Sequence, residues 1–244
     1  MLSTPLNQIL VIDIETASNH GRYEDMEETW QQLWNEKAGR TQPEGIDAGE
    51  WYSARAGVMA EFARVVCISM AIFTGANDRP KLRVKSIAGN DEKKILEELI
   101  AVLESFQSAG RNFCFAGHNI REFDLPFLCR RMIIHRLVIP SGMNFQNKKP
   151  WEVTMLDTFQ HWRFGDFKNY TSLKLLAAVL GLPSPKEDID GSMVGPMFWE
   201  KDPALQQENM QKIVTYCERD VITTANIIRR FRNEPVIMNE EIER

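Results

Sequence analysis

No stretch of about 18 consecutive apolar residues occurs anywhere in the chain, which excludes a membrane-spanning helix of ordinary kind. The opening Met1-Leu2-Ser3-Thr4-Pro5 runs into polar Asn7-Gln8 without the basic region of a secretory signal, so a cytoplasmic protein with no membrane partner is expected. Cysteine is scarce. Cys67, Cys114, Cys129 and Cys217 lie far apart within apolar surroundings, as reduced core thiols do, and not in the spacing of a zinc site or disulfide framework. Repeats and biased segments are missing, and 43% apolar with 26% charged residues describes an ordinary globular chain.

An excess of positive charge is also missing. The net charge of −5 stands against a nucleic-acid partner, whose phosphates are met by Lys and Arg. The distribution softens this, because residues 21–61 hold nine acids against four bases. The remainder is near neutral, with basic clusters at Arg130-Arg131, Lys148-Lys149 and Arg229-Arg230 with Arg232, each either a solvated face or a local anion patch.

What is present begins with Ile9-Leu10-Val11-Ile12-Asp13-Ile14-Glu15-Thr16, an apolar run that carries two acids one residue apart. Side chains alternate along a strand, so Asp13 and Glu15 share a face roughly 6 to 7 Å apart. Two such acids repel and resist desolvation unless a cation lies between them. The other reading is a strand end that has reached water.

At 244 residues one large domain suffices. Residues 17–61 read as a polar insertion after the first strand, with a short helix around Glu27–Lys37 and three tryptophans that either stack on bases or pack on the body. Val65–Phe73 and Leu82–Ile87 read as strands joined by a turn, which makes an antiparallel meander with the first. A helix capped by Asp91 leads to a short apolar strand at Phe113–Ala116, parallel to an earlier one through a right-handed crossover. A loop then carries Asn119 and Asp124 into a helix from Leu125 to about His135, where Asp124 can serve as an N-cap. Met155–Thr158 reads as a fifth strand, Thr171 or Ser172 caps a helix that Gly181 stops, and Leu205–Phe231 forms a long final helix. The sum is an α/β domain, a mixed five-stranded sheet flanked by helices, with residues 233–244 as a loose tail. On the last helix Tyr216 and Asp220 share a face in an inward stripe, where an acid without a partner is costly.

Asp13-Ile14-Glu15, Asn119-x-x-x-Phe123-Asp124 and Tyr216-x-x-x-Asp220, in that order, resemble the three exonuclease motifs of the DEDD superfamily on the ribonuclease H-like fold. The tyrosine marks the DEDDy form found in proofreading domains; the position of the alternative histidine is Thr215. The resemblance is closest to stand-alone predicted 3′-5′ exonucleases related to the exonuclease domain of family B DNA polymerases, and Leu182–Ser192 fits the same group. It spans about residues 8–232.

The resemblance implies a hydrolase that cuts phosphodiester bonds from 3′ ends, with single-stranded DNA favoured, and releases nucleoside 5′-monophosphates. RNA or very short oligonucleotides are the alternative substrates, and a non-catalytic nucleic-acid-binding protein is the alternative class. Carboxylates are hard ligands suited to Mg²⁺ or Mn²⁺. Two such ions are implied, with Asp13 bridging both, Glu15 and Asp220 on the ion carrying the nucleophile, and Asp124 on the other. Tyr216 would orient the water, since a phenol of pKa about 10 is a poor base at neutral pH. Thr16, His118, Asn119, Phe123, Lys174 and Lys186 are the candidate substrate contacts; His118 is a structural or substrate-contacting residue and not the base, Phe123 stacks on a base or staples a helix start, and the lysines meet phosphates or only water.

Overall fold

The computed structural model describes residues 3–76, 79–111, 113–149, 152–166, 168–183 and 189–244. Its organising element is β1 (Ile9–Ser18), whose β-branched, apolar first half has every reason to sit at the centre of a sheet. Two helices follow, α1 (Glu28–Ala38) and α2 (Ala48–Arg55), before β2 (Ala63–Ala76), β3 (Arg79–Ala88), α3 (Glu92–Ser108) and β4 (Cys114–Gly117). Then come α4 (Asp124–Ile134), β5 (Met155–Asp157), α5 (Thr158–Trp162), α6 (Leu173–Val179), α7 (Gly191–Phe198), α8 (Pro203–Phe231) and β6 (Ile242–Glu243).

The strands form one mixed sheet in the order β5-β4-β1-β2-β3-β6. β1, β2 and β3 are the expected antiparallel meander, and β4 joins β1 in parallel. The sheet has six strands, not five: Ile242 and Glu243 pair in parallel with Leu82 and Arg83. Nor is the tail loose. Asn226 holds Ile237 by bonds in both directions (2.7 and 3.3 Å), and Glu243 pairs with Lys81 and Arg83.

Alternation along β1 decides which layer each residue meets. Leu10, Ile12 and Ile14 face α3 and α4, packing with Leu96, Leu99, Leu125 and Phe127. Ile9 and Val11 face the opposite way, onto Val221, Ala225 and Ile228 of α8. Asp13 and Glu15 continue that second face. The pleat that buries the core therefore also aims both acids at the last helix.

On the α3–α4 side of the sheet lies a buried ion network. Glu92 accepts from Arg131 Nε and Nη2 (2.8 and 2.6 Å), from the Val65 N–H (2.8 Å) and lies 2.7 Å from His135 Nε2. Burial alone would raise the Glu92 carboxyl, yet the Arg131 and Val65 bonds hold it below its usual range. Of the basic clusters, Arg131 and Arg229 are thus buried ion-pair partners and not solvated faces.

The insertion carries a core of its own. Trp34 is fully buried, with its ring edge-on to Tyr52 and Phe62 at 5.1 and 5.2 Å. Besides the expected helix it holds α2, started by a capping box between Asp47 and Glu50. Packing accounts for its aromatics, although Trp30 remains 43% exposed.

Candidate active site

Three of the acids come together through backbone geometry. Between Asp13 and Glu15, the Ile14 N–H donates to Asp124 Oδ1 at 3.2 Å. Asp124 is not the N-cap of α4; Phe123 takes that position without a side-chain cap, which frees the Asp124 carboxylate to reach β1. The turn before it is tight. Asn119 adopts φ 62°, a left-handed conformation that Asn tolerates, and at Gly117 an added Cβ would sit 2.7 Å from Ile120 Cβ and 3.0 Å from the Ile12 carbonyl oxygen.

α8 supplies the remainder. Tyr216 packs against the cluster of Val66, Cys67 and Ile213 under the end of β1, and Asp220 lies one turn further along the same helix. Cys217 reaches Asp13 directly, donating to its carboxylate Oδ2 (3.4 Å) and its main-chain oxygen (3.5 Å). One ligand atom each from Asp13, Glu15 and Cys217 lies within 4.8 Å of the others. Opposite Glu15 on β2 is Cys67, and the register slips beyond that pair, Thr16 facing Val65, so that Val66 is an extra residue.

The electrostatics are those of one shared pocket. Burial raises Asp13 well above the carboxylate range, and Asp124, Asp220 and Glu15 raise it further, while the Cys217 thiol works the other way. Glu15 is raised by burial, then by Asp220, Cys67 and Asp124. Asp124 is pushed up to about 7, by burial first, with Asp157 and Asp220 adding to it against the bond from Ile14. Three raised carboxylates with Asp220 acting on each are a donor set that a hard divalent cation would neutralise, so these residues fit the implied metal.

Around the acids the remaining candidates divide. Thr16 donates to the Gly57 carbonyl (2.6 Å) and lines a cavity of about 360 Å³ with Ser53 and Gly57 of the insertion and Gly191 and Gly195 of α7. The Asn119 N–H donates to Asp157 (3.0 Å), while its buried Oδ1 has no partner among the described residues. Phe123 is half-buried against Phe127, ring centres 5.5 Å apart. His118 is held from both sides, by the Thr158 hydroxyl and the Thr171 carbonyl (2.9 Å each), and burial lowers its pKa. The imidazole thereby ties the start of α5 to the approach of α6, with neither nitrogen left for a nucleotide. Lys174 lies on an exposed face of α6; Lys186 is outside the described residues.

Several residues of the site carry no motif of their own. Asp157 ends β5 and accepts four backbone N–H groups, from Asn119, Arg121, Phe159 and Gln160, fixing the loop that carries Asp124. Its place at the end of a short strand is the one signal the sequence offers. Tyr170, 65% exposed beside Phe159, lies where Asp124 and Asp157 raise its phenol in addition to burial. The cysteines depart from expectation too: all four are free, but Cys217 and Cys67 sit beside acids and against each other.

The family model described as a predicted 3′-5′ exonuclease related to the exonuclease domain of PolB matches residues 58–241. The chain belongs to this family. The matched stretch holds Asp124, Tyr216 and Asp220, while Asp13 and Glu15 precede it and join the exonuclease-like domain through the sheet. In fold the chain is similar to the family B DNA polymerase from the hyperthermophilic archaeon Pyrobaculum calidifontis, with a TM-score of 0.50 at 14% identity. The likeness covers 93% of this chain but 27% of the polymerase chain. No protein of curated function matches. Among the described residues, no helix is long and apolar enough to cross a membrane.

Proposed function

We propose that this exonuclease-family protein is an active, metal-dependent 3′-5′ exonuclease that removes nucleoside 5′-monophosphates from single-stranded DNA. The observation that carries the reading is the gathering of Asp13, Glu15 and Asp124, with Ile14 N–H holding Asp124 between the two strand acids, each acid raised by burial and by Asp220. Acids gathered at such electrostatic cost serve a cation better than they serve stability.

Asp13, Glu15, Asp124 and Asp220 would hold two divalent ions, Mg²⁺ or Mn²⁺. When bound, such ions activate a water and stabilise the departing 3′ oxygen. The chain's own residues do the rest. Tyr216, one turn before Asp220, orients the attacking water with its hydroxyl. The cavity beside Thr16 receives the terminal nucleotide, and Asn119, in the loop that bears Asp124, faces the sugar. Phe123 and the exposed Tyr170 are the aromatic surfaces for the bases.

The test is a gel with end-labelled single-stranded DNA and RNA, Mn²⁺ with and without chelator, and the Asp13→Ala protein. Stepwise shortening from the 3′ end, lost in the mutant and the chelated sample, is the expected result. No cleavage of either polymer by the wild-type chain would sink the proposal.

A further inference from the structure

A second concave surface lies between α4 and residues 139–148, with Val153 and Met155 also lining it, and has a volume of about 390 Å³. That is within the range of ligand sites, roughly 300 to 1,000 Å³. Its lining departs from the rest of the molecule. The chain has 34 acids to 29 bases, yet the described residues around this groove include Arg121, Arg130 and Lys148 and no carboxylate. All three cations are exposed. Its floor is apolar, with Ile133 left 55% exposed, and Phe145 offers an aromatic ring over which Lys148 Nζ stands at 5.7 Å.

Position links the groove to the acids. Arg121 lies three residues before Asp124, and its N–H is anchored to Asp157 Oδ2 at 3.1 Å. The groove is therefore lined both by the loop that bears Asp124, through Arg121, and by Lys148. Positive charge above an apolar, aromatic floor matches a chain of phosphates with flat apolar bases, and matches neither an acidic peptide nor a lipid tail as well.

We infer that this groove binds the body of the single-stranded nucleic acid, on the 5′ side of the nucleotide being removed. Arg121, Arg130 and Lys148 meet phosphates, and the exposed Ile133 on the apolar floor packs under a base. The inference rests on the nuclease reading for its direction, while its test is one of binding alone.

The probe is a fluorescein-labelled 12-mer of deoxythymidine and the matching dinucleotide, titrated in chelator against the Asp13→Ala protein so that nothing is cut. Adding Arg130→Glu with Lys148→Glu is expected to weaken 12-mer binding at least threefold and to lower the slope of log affinity against log salt by about 1.4, roughly 0.7 for each phosphate no longer neutralised. Dinucleotide affinity changes less than twofold. Lys93→Glu with Lys94→Glu, an exposed pair on α3, makes the same charge change elsewhere and leaves the 12-mer within twofold. Matching melting curves establish that the variants are folded. A loss under threefold, an equal loss from the α3 pair, or no 12-mer binding by the parent overturns the inference. Should the wild-type chain cut nothing while the groove pair still loses the 12-mer, the nuclease reading fails and the groove stands.

Discussion

Ile14 and Asp124, 110 positions apart, are joined by a 3.2 Å bond from the strand N–H to the carboxylate. The residue between two candidate metal ligands thereby holds a third. An acid that takes a backbone bond in the sheet is oriented before any ion arrives, which places the start of α4 and β1 in one rigid unit.

The raised acids make the protein's stability depend on pH in a stated direction. Asp124 rises from the ordinary carboxylate value of 3.8 to about 7 on folding, so the folded chain holds a proton that the unfolded chain gives up. Stability from this group is full below about 4 and is lost as pH rises through 7. Asp13 and Glu15 shift the same way. Melting in chelator should thus show a lower midpoint at pH 8 than at pH 5, and Mn²⁺ should narrow the gap. A midpoint in chelator that climbs over that interval contradicts this.

Tyr216→Phe removes one hydroxyl and leaves the ring in its packing. If that hydroxyl orients the water, turnover falls about 10- to 100-fold with KM nearly unchanged, less than the loss from removing an acid. Steady-state rates on a single-stranded oligonucleotide check this, and an unaltered kcat would remove Tyr216 from the chemistry.

Arg131→Met leaves Glu92 buried beside a half-buried histidine without its guanidinium. The expected cost is about 3 to 5 kcal/mol, measured by urea unfolding. Replacing Glu92 by Leu in the same protein should recover part of it. A single substitution costing under about 1 kcal/mol would show that the pair is not the anchor between α3 and α4.

Gly117→Ala drives a Cβ against Ile120 and the β1 backbone, neither of which is a flexible side-chain end. A loss of about 1 to 3 kcal/mol is expected, with a fall in activity because the displaced loop carries Asp124. Activity that survives while stability drops would separate the turn from the placement of that acid.

Much of this was legible in the chain. Apolar runs located β1 and β2 and alternation located β3, the strand period put Asp13 and Glu15 on one face, and helical spacing did the same for Tyr216 and Asp220. Ile242-Glu243 was not, since two residues carry no period; their pairing follows from long-range contacts with β3. α7 begins with glycine and contains Pro196, which propensity reads as a break. The partners of Arg131 and Cys217 belong to distant segments, and a charged or thiol side chain gives no local sign of where it will be neutralised.

The insertion's separate core has a consequence for motion. Trp34, Tyr52 and Phe62 pack with one another and not with the sheet interior, so the flank that borders Thr16 can open while β1 and β2 stay paired. Amide hydrogen exchange would then reveal two tiers, with quick labelling across α1 and α2 and slow labelling in the central strands. If the cavity beside Thr16 holds the terminal nucleotide as proposed, breathing of that flank would set how fast a spent mononucleotide escapes, uncoupling release from the durability of the scaffold beneath it.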